Sequence, residues 1–110
     1  KEAQGKRELG FSFSTMNNTI TSEKLGQYFS VTREALDKAK NALDGQRKAQ
    51  AEDFLDMASR YCQDAYYFLN EKNDAVLAFA ALNYAHGWLD AGARIGLFKV
   101  KDNRLFTVDQ

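Results

Sequence analysis

The residues best suited to acid–base or nucleophilic chemistry are few in this sequence. It contains one histidine, His86, and one cysteine, Cys62. Asp90 follows His86 at helical (i, i+4) spacing, where a carboxylate can orient an imidazole that acts as a general base. No nucleophile, oxyanion donor or phosphate loop accompanies this pair, and the chain has no GxGxxG, P-loop or HExxH motif. We therefore expect a protein that is not an enzyme and has no catalytic residue.

Metal ligation is equally poorly supported. A zinc site needs three or four protein ligands, and His86 with Asp90 supplies only two. Cys62 falls on the apolar stripe of a predicted helix, which favours a small buried hydrophobe over a reactive thiol with a lowered pKa. A Cys62–His86 nucleophile pair requires the two residues to meet in an open cleft. We expect neither a metal nor a cofactor.

A stripe of polar residues crosses the most apolar segment at spacings of three, four and four: Asn83, His86, Asp90 and Arg94. Asp90 precedes Arg94 in the orientation that favours an ion pair. The stripe is either an ordinary solvated face or a recognition site, and both interpretations stay open.

Two glycines, Gly87 and Gly92, interrupt the same segment. Each costs a helix roughly 1 kcal/mol relative to Ala. Either a neighbouring backbone or the Trp88 indole approaches closely there, or the space accommodates a ligand or a kink. The candidate interaction or ligand surface is Tyr66, Tyr67, Asn83, His86, Gly87, Trp88, Asp90, Gly92 and Arg94.

Three predicted helices must position these residues. Thr21 or Ser22 starts the first, Asp44-Gly45 stops it near Leu43, and Asp74 starts the third. Gly96 is expected to close the third helix in a left-handed conformation. The predicted helices span residues 22–43, 46–71 and 75–97. The stripe of the second is Ala51, Phe54, Leu55, Ala58, Tyr61, Cys62, Ala65, Phe68 and Leu69.

The third helix has two apolar sides, so we expect both sides to be covered, either by two partner helices or by another subunit. One side consists of Leu77, Ala81, Tyr84, Trp88 and Ile95, and the other of Phe79, Leu82, Leu89 and Leu97. The fold class is thus all-α, an up-down-up three-helix bundle over residues 19–98. Residues 1–18 form a flexible or extended arm, and 99–110 a tail or small hairpin that docks through Leu105, Phe106 and Val108.

The run YFLNEKNDAVLAFAALNYAHGWLDAGARIGLF, and above all YAHGWLDAG, resembles the signature of a small archaeal family, domain of unknown function 357. The similarity is specific over residues 54–98 and looser over 22–45. The resemblance implies a short up-down-up three-helix bundle in an archaeal cytoplasm, and it implies no activity.

Charge and composition narrow the range of partners. Fifteen basic and fifteen acidic residues cancel, so no global field attracts nucleic acid or an anionic membrane. A lone cysteine is typical of a reducing cytoplasm. Four basic residues flank the first connection, with acidic residues between them, which favours a solvated helix end over an RNA contact: Lys38, Lys40, Arg47 and Lys48.

We therefore hypothesise a non-catalytic helical protein-interaction module. It binds a second copy of itself, as in a homodimer, or an unknown protein through the apolar and aromatic face of the second and third helices. The alternative is a small-molecule-binding bundle with a pocket near Gly87, Trp88 and Gly92; an enzyme or an RNA-binding accessory protein is less favoured.

Overall fold

Three helices form an up-down-up bundle in the computed structural model, which describes residues 17–108. Helix α1 spans Ser22–Lys40, α2 spans Lys48–Asn70 and α3 spans Ala75–Arg94. A short 3-10 turn, Gly45–Arg47, leads into α2. The predicted all-α bundle is confirmed. The arm predicted for residues 1–18 lies, except for Asn17 and Asn18, outside the described residues.

Helices α1 and α3 begin where their capping residues predict, whereas α2 begins at Lys48, two residues later than expected, without a side-chain cap. The Thr21 hydroxyl accepts from the Lys24 amide at 3.1 Å, and the Asp74 carboxylate accepts from the Leu77 amide at 3.0 Å. Each of these side chains satisfies an amide that has no partner inside its helix. Only four residues link α2 to α3, and Asn73 turns the chain there with a φ of 51°. The short link makes α2 and α3 antiparallel neighbours.

The ends of α1 and α3 come earlier than the sequence predicted. Helix α1 stops at Lys40, and Leu43 pairs with Phe98 in an isolated antiparallel bridge. The Asp44 amide donates to the Leu97 carbonyl at 2.8 Å, and the Lys99 amide donates to the Ala42 carbonyl at 2.7 Å. The two segments that follow the helices thus satisfy each other's backbone groups. The prediction that residues 41–43 continue α1 was wrong because this pairing competes with the last helical turn.

Helix α3 ends at Arg94 rather than at residue 97, in a Schellman motif. Gly96 has a φ of 80°, the left-handed conformation predicted for it. The Leu97 amide donates to the Gly92 carbonyl at 2.8 Å, and the Gly96 amide donates to the Ala93 carbonyl at 3.2 Å. This reversal sends the chain back towards the side of α3 that faces α1.

The core is built from small residues on the helices and large residues after them. Fully buried alanines line all three helices, among them Ala35, Ala58 and Ala85. The largest fully buried side chains are Leu82 and Leu89 of α3 and four residues that follow α3: Leu97, Phe98, Leu105 and Phe106. The docking predicted for Leu105 and Phe106 is confirmed. Residues 102–106 form a turn, and no hairpin forms within 99–108.

Candidate functional site

The polar stripe of α3 holds the segment that follows the bundle. His86 lies between Thr32 of α1 and the backbone of Leu105, with Nδ1 3.0 Å from the Thr32 hydroxyl and Nε2 2.6 Å from the Leu105 carbonyl. A carbonyl can only accept, so Nε2 carries the hydrogen, and in the neutral ring Nδ1 accepts from Thr32. One imidazole therefore connects α1, α3 and the C-terminal segment.

Asp90, one helical turn after His86 on α3, also binds the C-terminal segment. Its carboxylate accepts from the Thr107 amide at 2.8 Å and from the Thr107 hydroxyl at 3.3 Å. Arg104 forms a bidentate salt bridge with Glu34, in which Nη2 donates to Oε2 at 2.6 Å and Nη1 donates to Oε1 at 3.2 Å. His86 and Asp90 thus form hydrogen bonds that hold the C-terminal segment against α3, and both side chains remain partly exposed.

Gly92 leaves room for a close packing contact, as the packing alternative required. The neighbour is the Phe98 ring, however, and not a backbone or the Trp88 indole. A Cβ at Gly92 would lie 2.6 Å from Phe98 Cδ2, closer than side chains pack. A pocket shared by Gly87 and Gly92 does not form, since Gly92 is buried under Phe98 while Gly87 is exposed on another side of α3.

Cys62 is a buried part of the core between α1, α2 and α3. Burial raises the pKa of its thiol, against the opposing effect of the Arg33 charge. Both ring nitrogens of His86 are engaged by Thr32 and Leu105, so the structure does not provide the Cys62–His86 nucleophile pair. Among residues 17–108, no three His, Cys, Asp or Glu side chains cluster as a metal site requires.

The opposite side of α3 is much less covered. Leu77, Tyr84 and Ile95 remain 45%, 55% and 52% exposed, although all three lie on one apolar stripe. The prediction that both apolar sides are covered therefore fails within the single chain. The side with Phe79, Leu82, Leu89 and Leu97 is the buried one.

Two adjacent apolar hollows form a groove between α2 and α3 on this open side. We call it the outer groove, and its principal residues are Phe54, Tyr61, Phe68, Leu77, Tyr84 and Trp88. Tyr84 separates two hollows and packs edge-on against Tyr61, with ring centroids 4.4 Å apart. Trp88 meets Phe54 in the same way at 5.0 Å. Of the residues that line the two hollows, only Asp64 is charged.

Gly87 forms part of the floor of one of these hollows. That hollow has a volume of about 330 Å³ and is bounded by Phe54, Tyr84, Gly87, Trp88 and Ala91. Apart from the two adjacent residues and the backbone of α3, no atom lies within 4 Å of a Cβ at Gly87. Nothing within the described chain therefore uses the space that this glycine leaves.

The sequence placed the α2 residues of the outer groove on the same apolar stripe as the fully buried alanines of that helix. Phe54, Tyr61 and Phe68 are instead half-buried at the edge of the core. These three residues recur every seven positions, and so do the fully buried Ala51, Ala58 and Ala65. The two sets therefore lie on adjacent lines along α2, and their spacing alone does not show which line faces the core.

The remaining candidates do not join the groove. Tyr66 packs on Phe29 with centroids 4.6 Å apart, on the α1 side of α2. Tyr67 is exposed beside Lys72. Asn83 and Arg94 are exposed on the flank of α3.

Two of the four basic residues near the first connection are engaged in ion pairs. Lys38 contacts Asp102 at 3.3 Å, and Arg47 contacts Asp44 at 2.9 Å and the Ile95 carbonyl at 2.9 Å. None of the helices formed by residues 17–108 is long and apolar enough to cross a membrane.

Comparison with models of known protein families places the chain in a family. The model of a family described as "Protein of unknown function (DUF357)" matches residues 27–98, which include all of α2 and α3 and most of α1. Among curated proteins and among solved structures, nothing matches the chain significantly.

Proposed function

Because this chain belongs to the DUF357 family, whose description assigns no activity, we propose a function from the structure: a non-catalytic helical module that binds protein through the outer groove. The observation that carries this proposal is the exposure of Leu77, Tyr84 and Ile95 along one side of the most apolar helix. Burial of such side chains is the main favourable contribution to association. The partner is another protein or a second copy of the chain.

The chemistry of the outer groove supports a protein partner. Aromatic side chains are enriched at the centres of protein interfaces, where charged residues are depleted. Tyr61, Tyr84 and Trp88 lie together in the groove, and Asp64 is the only charged residue that lines its hollows. Contiguous exposed apolar patches are uncommon on monomers and mark binding surfaces.

The net charge of the chain and its expected cellular compartment restrict the class of partner further. A formal net charge of zero and the pairing of Lys38 and Arg47 disfavour nucleic acid, which needs an unpaired basic surface. The lack of a disulfide at the buried Cys62 and the resemblance to an archaeal family support a cytoplasmic setting in an archaeal cell.

Photo-crosslinking at the centre of the outer groove tests the proposal. Tyr84 is replaced by p-benzoylphenylalanine in the full chain, and irradiation in the source cell is followed by mass spectrometry of the adducts. The matched control places the same residue at Tyr28, an aromatic of α1 that is 38% exposed. We expect a discrete protein adduct from position 84 and none from position 28. An absence of protein adducts at position 84, or equal adducts at both positions, would overturn the proposal.

Small-molecule binding is the second candidate, because the hollow over Gly87 has a volume in the range of ligand sites. Only side chains without charge line this hollow, so a ligand there would be largely apolar. Native mass spectrometry of the purified chain checks this alternative, which predicts a retained small molecule that is lost when Gly87 is replaced by Leu.

A further inference from the structure

The occupant of the outer groove follows from the shape of the groove. We propose that it is a second copy of this chain, related by a two-fold axis beside the middle of α3, so that Tyr84 of each copy enters the hollow over Gly87 of the other. This inference rests on the proposed function, since it names the partner of the same surface.

The outer groove carries both a projection and a matching hollow. Tyr84 is 55% exposed and stands between the two hollows. Gly87, one helical turn away, leaves an open floor with no atom within 4 Å of a Cβ position. A two-fold contact brings the same patch of both copies together, so that residue i meets j and j meets i. A surface that contains its own complement fits this symmetry, whereas a different partner would have to supply both shapes.

The position of these residues on α3 fits an antiparallel pair. Tyr84 and Gly87 lie on either side of the midpoint of Ala75–Arg94. An axis between them that superposes Tyr84 on Gly87 of the copy also superposes Ala80 on Ala91 of the copy. Small residues at that crossing let two helices approach closely, and knobs of one helix can enter holes of the other. The whole length of α3 then takes part in the contact.

The available area approaches that of a standard interface. Leu77, Tyr84 and Ile95 are 45%, 55% and 52% exposed, and the other outer-groove side chains are partly exposed. Together they offer at most roughly 700 Å² per copy, somewhat less than the ~800 Å² per partner of a standard interface. Charge does not oppose this contact, because the chain has a formal net charge of zero. Asp64 is the only charged residue lining the hollows.

Mass measurement under native conditions tests the second copy. Light scattering and sedimentation equilibrium on the full chain are expected to give the mass of two chains. Gly87→Leu fills the hollow in both copies and is expected to raise the dissociation constant by about 100-fold. Gly26→Leu is the matched control, because Gly26 is also an exposed helical glycine with no atom within 4 Å of a Cβ, on α1. The control variant should keep the dimer mass, and circular dichroism should show both variants folded.

The outcomes separate this inference from the function on which it rests. If the measured mass is that of a single chain at every concentration up to the millimolar range, the proposed homodimer is wrong. If the crosslinker at position 84 then forms an adduct with a different protein, the proposed protein-binding function is still supported. A dimer that persists in Gly87→Leu also overturns this arrangement. A Tyr84 adduct that maps to the peptide containing Gly87 of a second copy supports both proposals.

Discussion

The two sides of α3 use the same kinds of residue for opposite purposes. On the side that faces α1, Gly92 lies beneath Phe98, and His86 and Asp90 hold the C-terminal segment. On the side of the outer groove, Gly87 borders open space and Tyr84 is more than half exposed. A glycine or an aromatic residue therefore has no fixed meaning in this helix. Its role depends on whether another part of the chain reaches it.

Removing one aromatic ring from each side should give the largest contrast. Phe98→Ala leaves a cavity in the core and is expected to lower the free energy of unfolding by about 3–5 kcal/mol. Tyr84→Ala removes an edge-on contact with Tyr61 on a half-exposed surface, so its expected cost to the single chain is about 1 kcal/mol. Urea denaturation in dilute protein measures both. Equal losses would contradict the difference between the two sides.

Adding a methyl group to each glycine should give effects of opposite sign. Gly92→Ala forces Phe98 to move and is expected to cost about 1–3 kcal/mol. Gly87→Ala meets no atom and is expected to add up to about 1 kcal/mol, through the greater helix propensity of Ala. Thermal unfolding of the two variants checks the signs. A destabilised Gly87→Ala chain at low concentration would show that the chain itself fills the hollow.

Substitutions of two polar residues of α3 should also differ in their cost to the free energy of unfolding. His86→Ala removes the partner of the Leu105 carbonyl and is expected to cost about 1–3 kcal/mol. Asn83→Ala, a change in an exposed residue of the same stripe, is expected to stay within about 0.5 kcal/mol. Hydrogen exchange adds a local readout, because the amides of Leu105 and Phe106 should lose protection only in the His86 variant. Unchanged protection there would contradict the role assigned to His86.

Acid should weaken the attachment of the C-terminal segment by the smallest amount. The side-chain hydrogen bond from Arg104 lowers the pKa of Glu34 from its ordinary 4.5. The hydrogen bond from the Arg104 amide lowers the pKa of Asp102 from its ordinary 3.8. A carboxyl group with a lowered pKa in the folded state binds protons more weakly there than in the unfolded chain. Its contribution is complete above the unfolded pKa and is lost as the pH falls through the folded pKa.

Thermal midpoints measured between neutral pH and about pH 3 test this contribution. The wild-type chain is expected to lose more of its midpoint than Glu34→Gln, which has no carboxyl group to protonate at that position. The difference should shrink in high salt, because these groups are exposed. An identical acid response in the two chains would show that the Glu34–Arg104 pair does not stabilise the fold.

Local signals predicted the beginnings of helices better than their ends. Thr21 and Asp74 cap α1 and α3 as expected, because a capping side chain bonds an amide only three residues away. Gly96 was identified for the same reason. The bridge between Leu43 and Phe98 joins residues far apart in sequence, and no local rule predicts that it competes with the last turns of α1 and α3.

The sequence by itself determined an all-α bundle of three helices, its family, and a polar stripe and two glycines of unusual placement on α3. Those features depend on periodicity and capping, which act over a few residues. Only the tertiary structure decided that His86 and Asp90 bind the C-terminal segment, that Phe98 covers Gly92, and that Gly87 stays open. Which side of a helix is covered depends on where the chain goes after the helix ends, and that path is set by packing between residues distant in sequence.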